Sequence, residues 1–354
     1  MTRTTRTAVA LATTVALVAL AGCSGSSSKR SSSTPTPAST TPSATASSSS
    51  AAPKPAAKNP YTGVGGVPTT PVIAVKIDDT APGRPQVNID KADIVYIEAV
   101  EAGYTRLAAI FGTNKPTVGY VRSTRPSDPD LLLQYGKITE AYSGGARVSL
   151  NIRKKSGLTG WSNDAGAAYY VRNNRSESTY INLTLNLAKV AKKVRTNKPK
   201  SIGWTFDPSL SGLSTSTGTN VRTTVTGTYP VGTGTPVQFK WNAGLRKYVR
   251  YIDGTAQHAA DGKLVTATNV VVQSCEVHTY SADRDVNGYP AQFTTTIGSG
   301  KVSVFRQGKR VDGTWSRRNT SSGTVLRTTA GKALPLNPGN TWVVLVRKGI
   351  GVSG

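Results

Sequence analysis

The chain has 354 residues, of which 43 are Lys or Arg and 18 are Asp or Glu, so its formal net charge at pH 7 is +25. A charge of this size favours polyanionic partners, and the presence of only two cysteines excludes a disulfide-stapled scaffold. The length exceeds what one hydrophobic core usually serves, so we expect two folded domains.

The first residues indicate export. Two arginines precede the apolar run Ala8–Leu20, which is too short to span a membrane because a span needs roughly 20 apolar residues. The motif "LAGC" follows and resembles the lipobox of bacterial lipoproteins. That resemblance implies that residues 1–22 are a signal peptide and that Cys23 carries fatty acyl chains such as palmitate. An ordinary secreted protein with a cysteine near its cleavage site is the alternative.

Residues 23–59 are almost entirely Ser, Thr, Ala and Pro with scattered Lys. Such a composition cannot bury enough apolar area to offset its ordering entropy. We therefore expect a lipid-anchored linker, which as a flexible coil spans about 30–35 Å.

Residues 60–205 are predicted to form an N-terminal α/β module with a mixed sheet. Four strand-like runs come first, "VIAVKI", "DIVYIEAV", "TRLAAIF" and "TVGYV". A helix is predicted to begin at Asp128-Pro129-Asp130, because acids and proline suit a first turn. Leu183, Leu187, Val190 and Val194 recur at helical spacing and predict a second, amphipathic helix.

Residues 206–235 have the composition of a low-complexity connector, and residues 236–354 predict a mostly β C-terminal module. Asp253-Gly254 and Gln307-Gly308 each separate two strand-like runs and predict hairpin turns. The fold class we expect is therefore α+β, with an α/β-like first module and a mostly β second one.

Several motifs carry a family resemblance. "RPQVNIDKADIVYIEAVEAGYTRLAAIF", "VGYVRSTRPSDPDLLLQYG", "SGGA", "VDGTW" and "LPLNPGNTWVVLV" occur in the order found in YerB-type bacterial lipoproteins, a family defined as a domain of unknown function. The resemblance covers nearly the whole chain after the linker and implies an envelope lipoprotein with two modules. It implies no mechanism. The chain departs from the family at "SESTYINLT" and "AYSGGA", where family members often have histidines.

Charged side chains follow or begin the four predicted strands. They are Asp78, Asp79, Arg84, Glu98, Glu101, Arg106, Arg122 and Arg125. Because consecutive strands are usually neighbours in a sheet, these groups are expected to converge at one edge.

This cluster has two main interpretations. In the first, which we favour, the arginines form ion pairs with the carboxylates and support the fold. In the second, Arg122 and Arg125 hold a phosphate or carboxylate ligand. A third, enzymatic interpretation is a phosphoryl-transfer site similar in residue types to the LytR-CpsA-Psr wall-polymer transferases, with acids binding a divalent cation.

Other catalytic and metal sites lack support in the sequence. His258 is expected at the surface, His278 on a strand, and Cys275 as a small buried hydrophobe. Cys275 and His278 are too few ligands for a zinc site. The segments "GVGG" and "SGGA" lack a strand-to-helix setting and are interpreted as turns.

The function we predict is an exported envelope lipoprotein that binds or scaffolds an anionic envelope component. Its expected partners are the membrane, through the lipid anchor, and anionic wall polymers or lipid headgroups. Nucleic acid is not expected as a partner, because an exported protein and the chromosome lie on opposite sides of the membrane. The alternative is a phosphotransferase or hydrolase acting on a cell-wall precursor, and only that alternative calls for a cofactor, a divalent cation.

Overall fold

The computed structural model describes residues 57–173, 181–195 and 199–354. The predicted signal peptide and Cys23 lie outside these residues, as does nearly all of the predicted linker. Pro55–Gly354 form one compact unit.

Twenty strands and three α-helices make up the regular structure of the described residues. The strands are β1 Ile73–Asp78, β2 Ile94–Ala99, β3 Thr105–Phe111, β4 Thr117–Gly119, β5 Thr139–Tyr142, β6 Thr159–Ser162, β7 Tyr170–Arg172, β8 Leu183–Asn186, β9 Ser216–Thr217, β10 Asn220–Val225, β11 Thr235–Asn242, β12 Lys247–Ile252, β13 Thr255–Ala256, β14 Thr266–Ala267, β15 Asn269–Arg284, β16 Pro290–Thr295, β17 Gly298–Arg306, β18 Lys309–Arg317, β19 Val325–Thr328 and β20 Thr341–Arg347. The helices are α1 Asp128–Leu132, α2 Arg147–Ser156 and α3 Leu187–Ala191.

One large mixed sheet runs through both predicted modules, in the order β19-β18-β17-β15-β20-β2-β3-β1-β5-β6. The C-terminal strand β20 lies between β2 and β15 and is parallel to both. Strands β1, β2, β5, β6, β15 and β20 all point the same way, because β3 is antiparallel to β1 and β2. We call the edge at which these six strands end the carboxyl edge.

The hydrophobic core lies on both faces of this sheet. Alternate residues of β1 point to opposite sides, so that Val75 belongs to one buried cluster and Ala74 to the other. The first cluster also receives Phe239 and Tyr248 from the smaller sheet β10-β11-β12-β13. Burial on both faces explains why β1, β2 and β3 are nearly continuous apolar runs.

The fold is predominantly β, and the α/β-like description of the first module is not confirmed. The longest helix in the described residues, α2, has only ten residues. The helix predicted at Asp128 is present as α1. The second predicted helix is corrected, because Leu183 lies on β8 and the helix begins only at Leu187.

The C-terminal half contains the hairpins expected from its turns. Asp253 and Gly254 connect β12 to β13, and Gln307 and Gly308 connect β17 to β18. All four residues have positive φ, as this type of tight turn requires. The segment expected to be a connector is corrected, since residues 206–235 contain β9 and β10.

Candidate anion-binding site

Asp78, at the end of β1, is completely buried and lies between two arginines. Arg106 Nη1 is 3.2 Å from its Oδ1, and Arg122 Nη1 contacts its Oδ2. The backbone amide of Thr80 also donates to Oδ1, over 2.7 Å. Burial would raise the pKa of Asp78, but the two positive charges outweigh it and hold this pKa below its ordinary value.

Arg106 is placed by strand register. On β3 it is directly opposite Asp78 on β1 and Glu98 on β2. Its Nε and Nη1 are buried and have no hydrogen-bond partner. Burial, together with the nearby charge of Arg122, lowers the pKa of Arg106 to about 9, so the group stays protonated at neutral pH.

The segment after β4 carries the other two arginines along the end of β1. The amide of Arg122 donates to the Lys76 carbonyl over 2.9 Å, and its carbonyl accepts from Ser143 over 2.9 Å. Three residues later, Arg125 Nη2 lies 2.9 Å from Glu101 Oε2, while its buried Nε has no hydrogen-bond partner. The fourth predicted strand thus belongs to a separate small sheet, β4-β8-β7, yet its following loop still reaches the carboxyl edge.

Asp79 has a different set of partners. Arg250 from β12 donates to it through Nη1 and Nη2 over 2.9 and 2.8 Å, and Thr105 Oγ1 donates over 2.7 Å. Arg84 folds back onto the Asp79 backbone carbonyl, to which its Nη2 donates over 2.9 Å. The fork-shaped ion pair between Arg250 and Asp79 connects the predicted C-terminal module to the N-terminal one.

Beneath the arginines lies a fully buried lysine network. Lys76 Nζ contacts Glu98 Oε1 and lies 2.6 Å from Asp128 Oδ1. Thr124 Oγ1 donates to Glu140 Oε1 over 2.8 Å. Burial raises the pKa of Glu98 to about 7 and that of Glu140 well above its ordinary value. Lys76 is the ion-pair partner of Glu98, and Arg125 acts on Glu98 only through its charge.

The glycine-rich segment Ser143–Ala146 connects β5 to α2, so the interpretation that "SGGA" lacks a strand-to-helix setting is corrected. Gly144 has a φ of +73°, and a Cβ on Gly145 would lie 2.9 Å from Thr124 Cγ2. The amide of Gly144 donates to the carboxylate of Asp164. A side-chain carboxylate thus already accepts a hydrogen bond from this loop.

All eight charged residues singled out from the sequence lie around the carboxyl edge, but they divide into subsets. Arg106, Arg122 and Arg125, which we call the arginine cluster, face Asp78 and Glu101. Asp79 pairs with Arg250, and Glu98 with Lys76. Sequence reasoning missed Lys76, Asp128, Glu140 and Arg250. A lysine inside the apolar run "VIAVKI" was the one local signal of the buried network.

The remaining candidates lie elsewhere. His258 is exposed, and the His278 ring stacks on Phe293 with centroids 5.1 Å apart. Cys275 is buried on β15, and burial raises the pKa of its thiol to about 12. Within residues 57–173, 181–195 and 199–354, no group of three His, Cys, Asp or Glu side chains is arranged to hold a metal ion.

Two family descriptions match the chain. "Protein of unknown function (DUF3048) N-terminal domain" matches residues 61–200, and the corresponding C-terminal domain matches residues 225–343. The chain therefore belongs to this two-module family of YerB-type lipoproteins.

YerB of Bacillus subtilis resembles the chain in sequence and in fold. The chain is 27% identical over 283 residues to "Putative lipoprotein YerB" of strain 168, which covers 77% of this chain and 80% of the relative. The crystal structure of a YerB protein matches with a TM-score of 0.68 at 24% identity, over 84% of this chain and 100% of that one. In the part of the chain that the structure describes, no helix is long and apolar enough to cross a membrane.

Proposed function

We propose that the protein is an envelope lipoprotein whose arginine cluster binds phosphate or carboxylate groups of an anionic wall polymer or lipid headgroup. The observation that carries the proposal is the imbalance of the cluster. Arg106 and Arg122 both lie at the single carboxylate of Asp78, and the Nε of both Arg106 and Arg125 has no hydrogen-bond partner.

Gathering like charges in a buried place costs free energy. The lowered pKa of Arg106, caused by burial and by the charge of Arg122, records that cost. A purely structural ion pair needs one cation for each carboxylate, and Asp78 has two arginines beside it. An anion at the exposed side of Arg122 and Arg125 would offset the repulsion and form charge-assisted hydrogen bonds.

Solvent reaches part of the cluster. The Arg122 side chain is 21% exposed and that of Arg125 is 11% exposed, whereas Asp78 is fully buried. An incoming anion therefore meets the arginines before the carboxylates. The carboxylates are held by arginines, which favours anion binding over the alternative of phosphotransfer or hydrolysis with a divalent cation held by the same acids.

The ligand classes follow from the location predicted by the lipobox and supported by the name of the relative. Outside a cell membrane, the abundant anions are lipid headgroups and the phosphate or uronate groups of wall polymers. The net charge is +25 for the whole chain and 25 − 2 = +23 without Arg3 and Arg6 of the predicted signal peptide, and it would attract both over about a Debye length, roughly 8 Å at physiological salt.

Binding of the purified unit Pro55–Gly354 to isolated wall fractions and to inorganic pyrophosphate tests the proposal. Arg122→Ala removes one charge-assisted partner and should weaken binding roughly 10- to 100-fold, because such a hydrogen bond contributes about 1.5–3 kcal/mol. Arg318→Ala removes the same charge at an exposed position and should change binding less than about 2-fold.

Glucuronate used as a competitor separates carboxylate from phosphate recognition, and binding should fall with added salt. Equal binding by the Arg122→Ala and Arg318→Ala variants, with the folding midpoint of each unchanged, would refute both a binding and a structural role for Arg122.

A further inference from the structure

Large apolar side chains protrude from three loops of the molecule. Val231 and Val286 are each 91% exposed, and Tyr104, Tyr229 and Tyr289 are 56%, 47% and 37% exposed. We call these five residues the apolar rim. Single exposed apolar residues are common, so the question is whether these five lie together.

Two of the loops are fastened side by side. The rings of Tyr229 and Tyr289 have centroids 6.5 Å apart. Next to them, the amide of Thr228 donates to Gln292 Oε1 over 2.7 Å. Val231 belongs to the first of these loops, and Val286 to the turn of the β15–β16 hairpin that carries Tyr289.

The third loop lies against the first. Thr235 Oγ1 donates to the carbonyl of Gly103 over 3.0 Å. A Cβ on Gly103 would lie 2.5 Å from Thr233 Oγ1, so the two loops are in close contact. Tyr104 directly follows Gly103, which places it beside the loop of Tyr229 and Val231.

The apolar rim lies at the carboxyl edge. Tyr104 comes after the end of β2, and the hairpin turn comes after the end of β15, two strands that run parallel to β20. Glu101, the partner of Arg125, belongs to the same short turn as Gly103. The rim and the arginine cluster are therefore at the same end of the molecule.

We propose that the apolar rim contacts an anionic phospholipid bilayer, with Val231 and Val286 inserted among the headgroups. Tyrosine, with an apolar ring and a polar hydroxyl, suits the membrane–water interface. Arg284, next to the β15–β16 hairpin turn, is exposed. Arg347, at the end of β20, donates a 3.3 Å hydrogen bond to the carbonyl of Gly227 in the loop that carries Tyr229 and Val231. These cations complement anionic headgroups.

The predicted lipid anchor makes a weak contact sufficient. As a flexible coil, the predicted linker would keep the folded unit within about 35 Å of the bilayer on average, so the rim would meet lipid at a high effective concentration. Asn59 bonds to Thr113 after β3, at the edge opposite the rim. Ser24–Asn59 can extend to roughly 120 Å, more than twice the approximately 50 Å width of such a unit. The rim can therefore turn towards the membrane.

The test uses Pro55–Gly354, which is one compact unit and lacks the anchor. The affinity for vesicles of phosphatidylglycerol and phosphatidylcholine, measured by cosedimentation, should fall about 30-fold in the double variant Val231→Ser/Val286→Ser, because the two inserted valines together contribute about 2 kcal/mol. Leu245→Ser is the matched control. Leu245 is 47% exposed on the β11–β12 turn, next to the β17–β18 turn at the opposite edge, and its loss should not change binding.

A fluorescent label gives a second readout. Cys275 is buried and its thiol pKa is raised, so a cysteine introduced by Val286→Cys reacts selectively. Emission from a bimane at this position should shift to the blue on vesicle addition, and a label at Leu245→Cys should not respond. The shift should persist with Arg122→Ala, which separates this proposal from the anion site.

Equal vesicle binding by wild type and the double variant would overturn the proposal, as would an unresponsive label at position 286. Light scattering tests whether a second copy of the chain, rather than lipid, occupies the rim. A concentration-dependent dimer that the double valine variant abolishes, without vesicle binding, would make the rim a self-association surface and also refute the proposal.

Discussion

Replacing Glu98 by glutamine tests the buried lysine network through its response to pH. Glu98 is inaccessible to solvent, and burial raises its pKa from 4.5 to about 7 although Lys76 opposes that shift. Between these two pH values the folded state keeps a proton that the unfolded chain has lost. The free energy of unfolding should therefore fall as the pH rises through this window.

The expected size follows from the shift. One pKa unit corresponds to about 1.4 kcal/mol, so Glu98 alone should account for about 3 kcal/mol of stability lost between pH 4.5 and 7. Glu140, whose pKa burial also raises, adds to the same slope. Asp78, whose pKa is lowered, changes the free energy of unfolding only below about pH 3.8, outside this window.

Urea unfolding at a series of pH values measures the slope, with a constant m-value as the check on two-state behaviour. The free energy of unfolding should fall less steeply with pH in Glu98→Gln than in wild type. The part of the slope that remains should come from Glu140. Glu276→Gln is the control, because Glu276 is exposed and pairs with Lys348 on the surface. Parallel curves for wild type and Glu98→Gln would show that Glu98 does not titrate in the interior and refute the reasoning.

Three further results are expected. Arg250→Leu should lower the free energy of unfolding in urea by about 3–5 kcal/mol, because it leaves the Asp79 carboxylate buried without its fork-shaped partner. Gly313→Ala should lower the thermal midpoint, at a cost of about 1–3 kcal/mol, because its Cβ would lie 2.0 Å from a carbonyl oxygen of β19, whereas Gly351→Ala meets no atom within 4 Å and should be neutral. A chain that ends at Asn340 lacks β20 and should yield no cooperative unfolding transition by circular dichroism.

Local features of the fold were readable from the sequence. Asp253-Gly254 and Gln307-Gly308 predicted their turns because positive φ at two successive positions demands particular residues. The pairing of β2 with β3 brings Glu98 opposite Arg106 as expected from consecutive strands, whereas β4 joins another sheet and only its following loop brings Arg122 and Arg125 to the same edge. The alternation Val221, Thr223, Val225 in β10 was also present, but the Thr- and Gly-rich composition around it concealed the period of two.

Partners that lie far apart in the chain were not readable. Arg250 reaches Asp79 across 171 positions, and no local pattern marks either residue for the other. Leu183 and Leu185 alternate as a strand requires, yet Leu183 also fits a helical spacing with Leu187 and Val190, so short apolar runs admitted both periods. Pairing with β4 and β7 decides the outcome.

The position of the last strand has a consequence for how the protein matures. Since β20 occupies the centre of the large sheet, β2 and β15 each keep one edge unpaired until β20 has been added. A chain that stops before β20 would present two open strand edges, which are templates for aggregation. The two halves of the large sheet can thus be joined only by the strand that comes last in the chain.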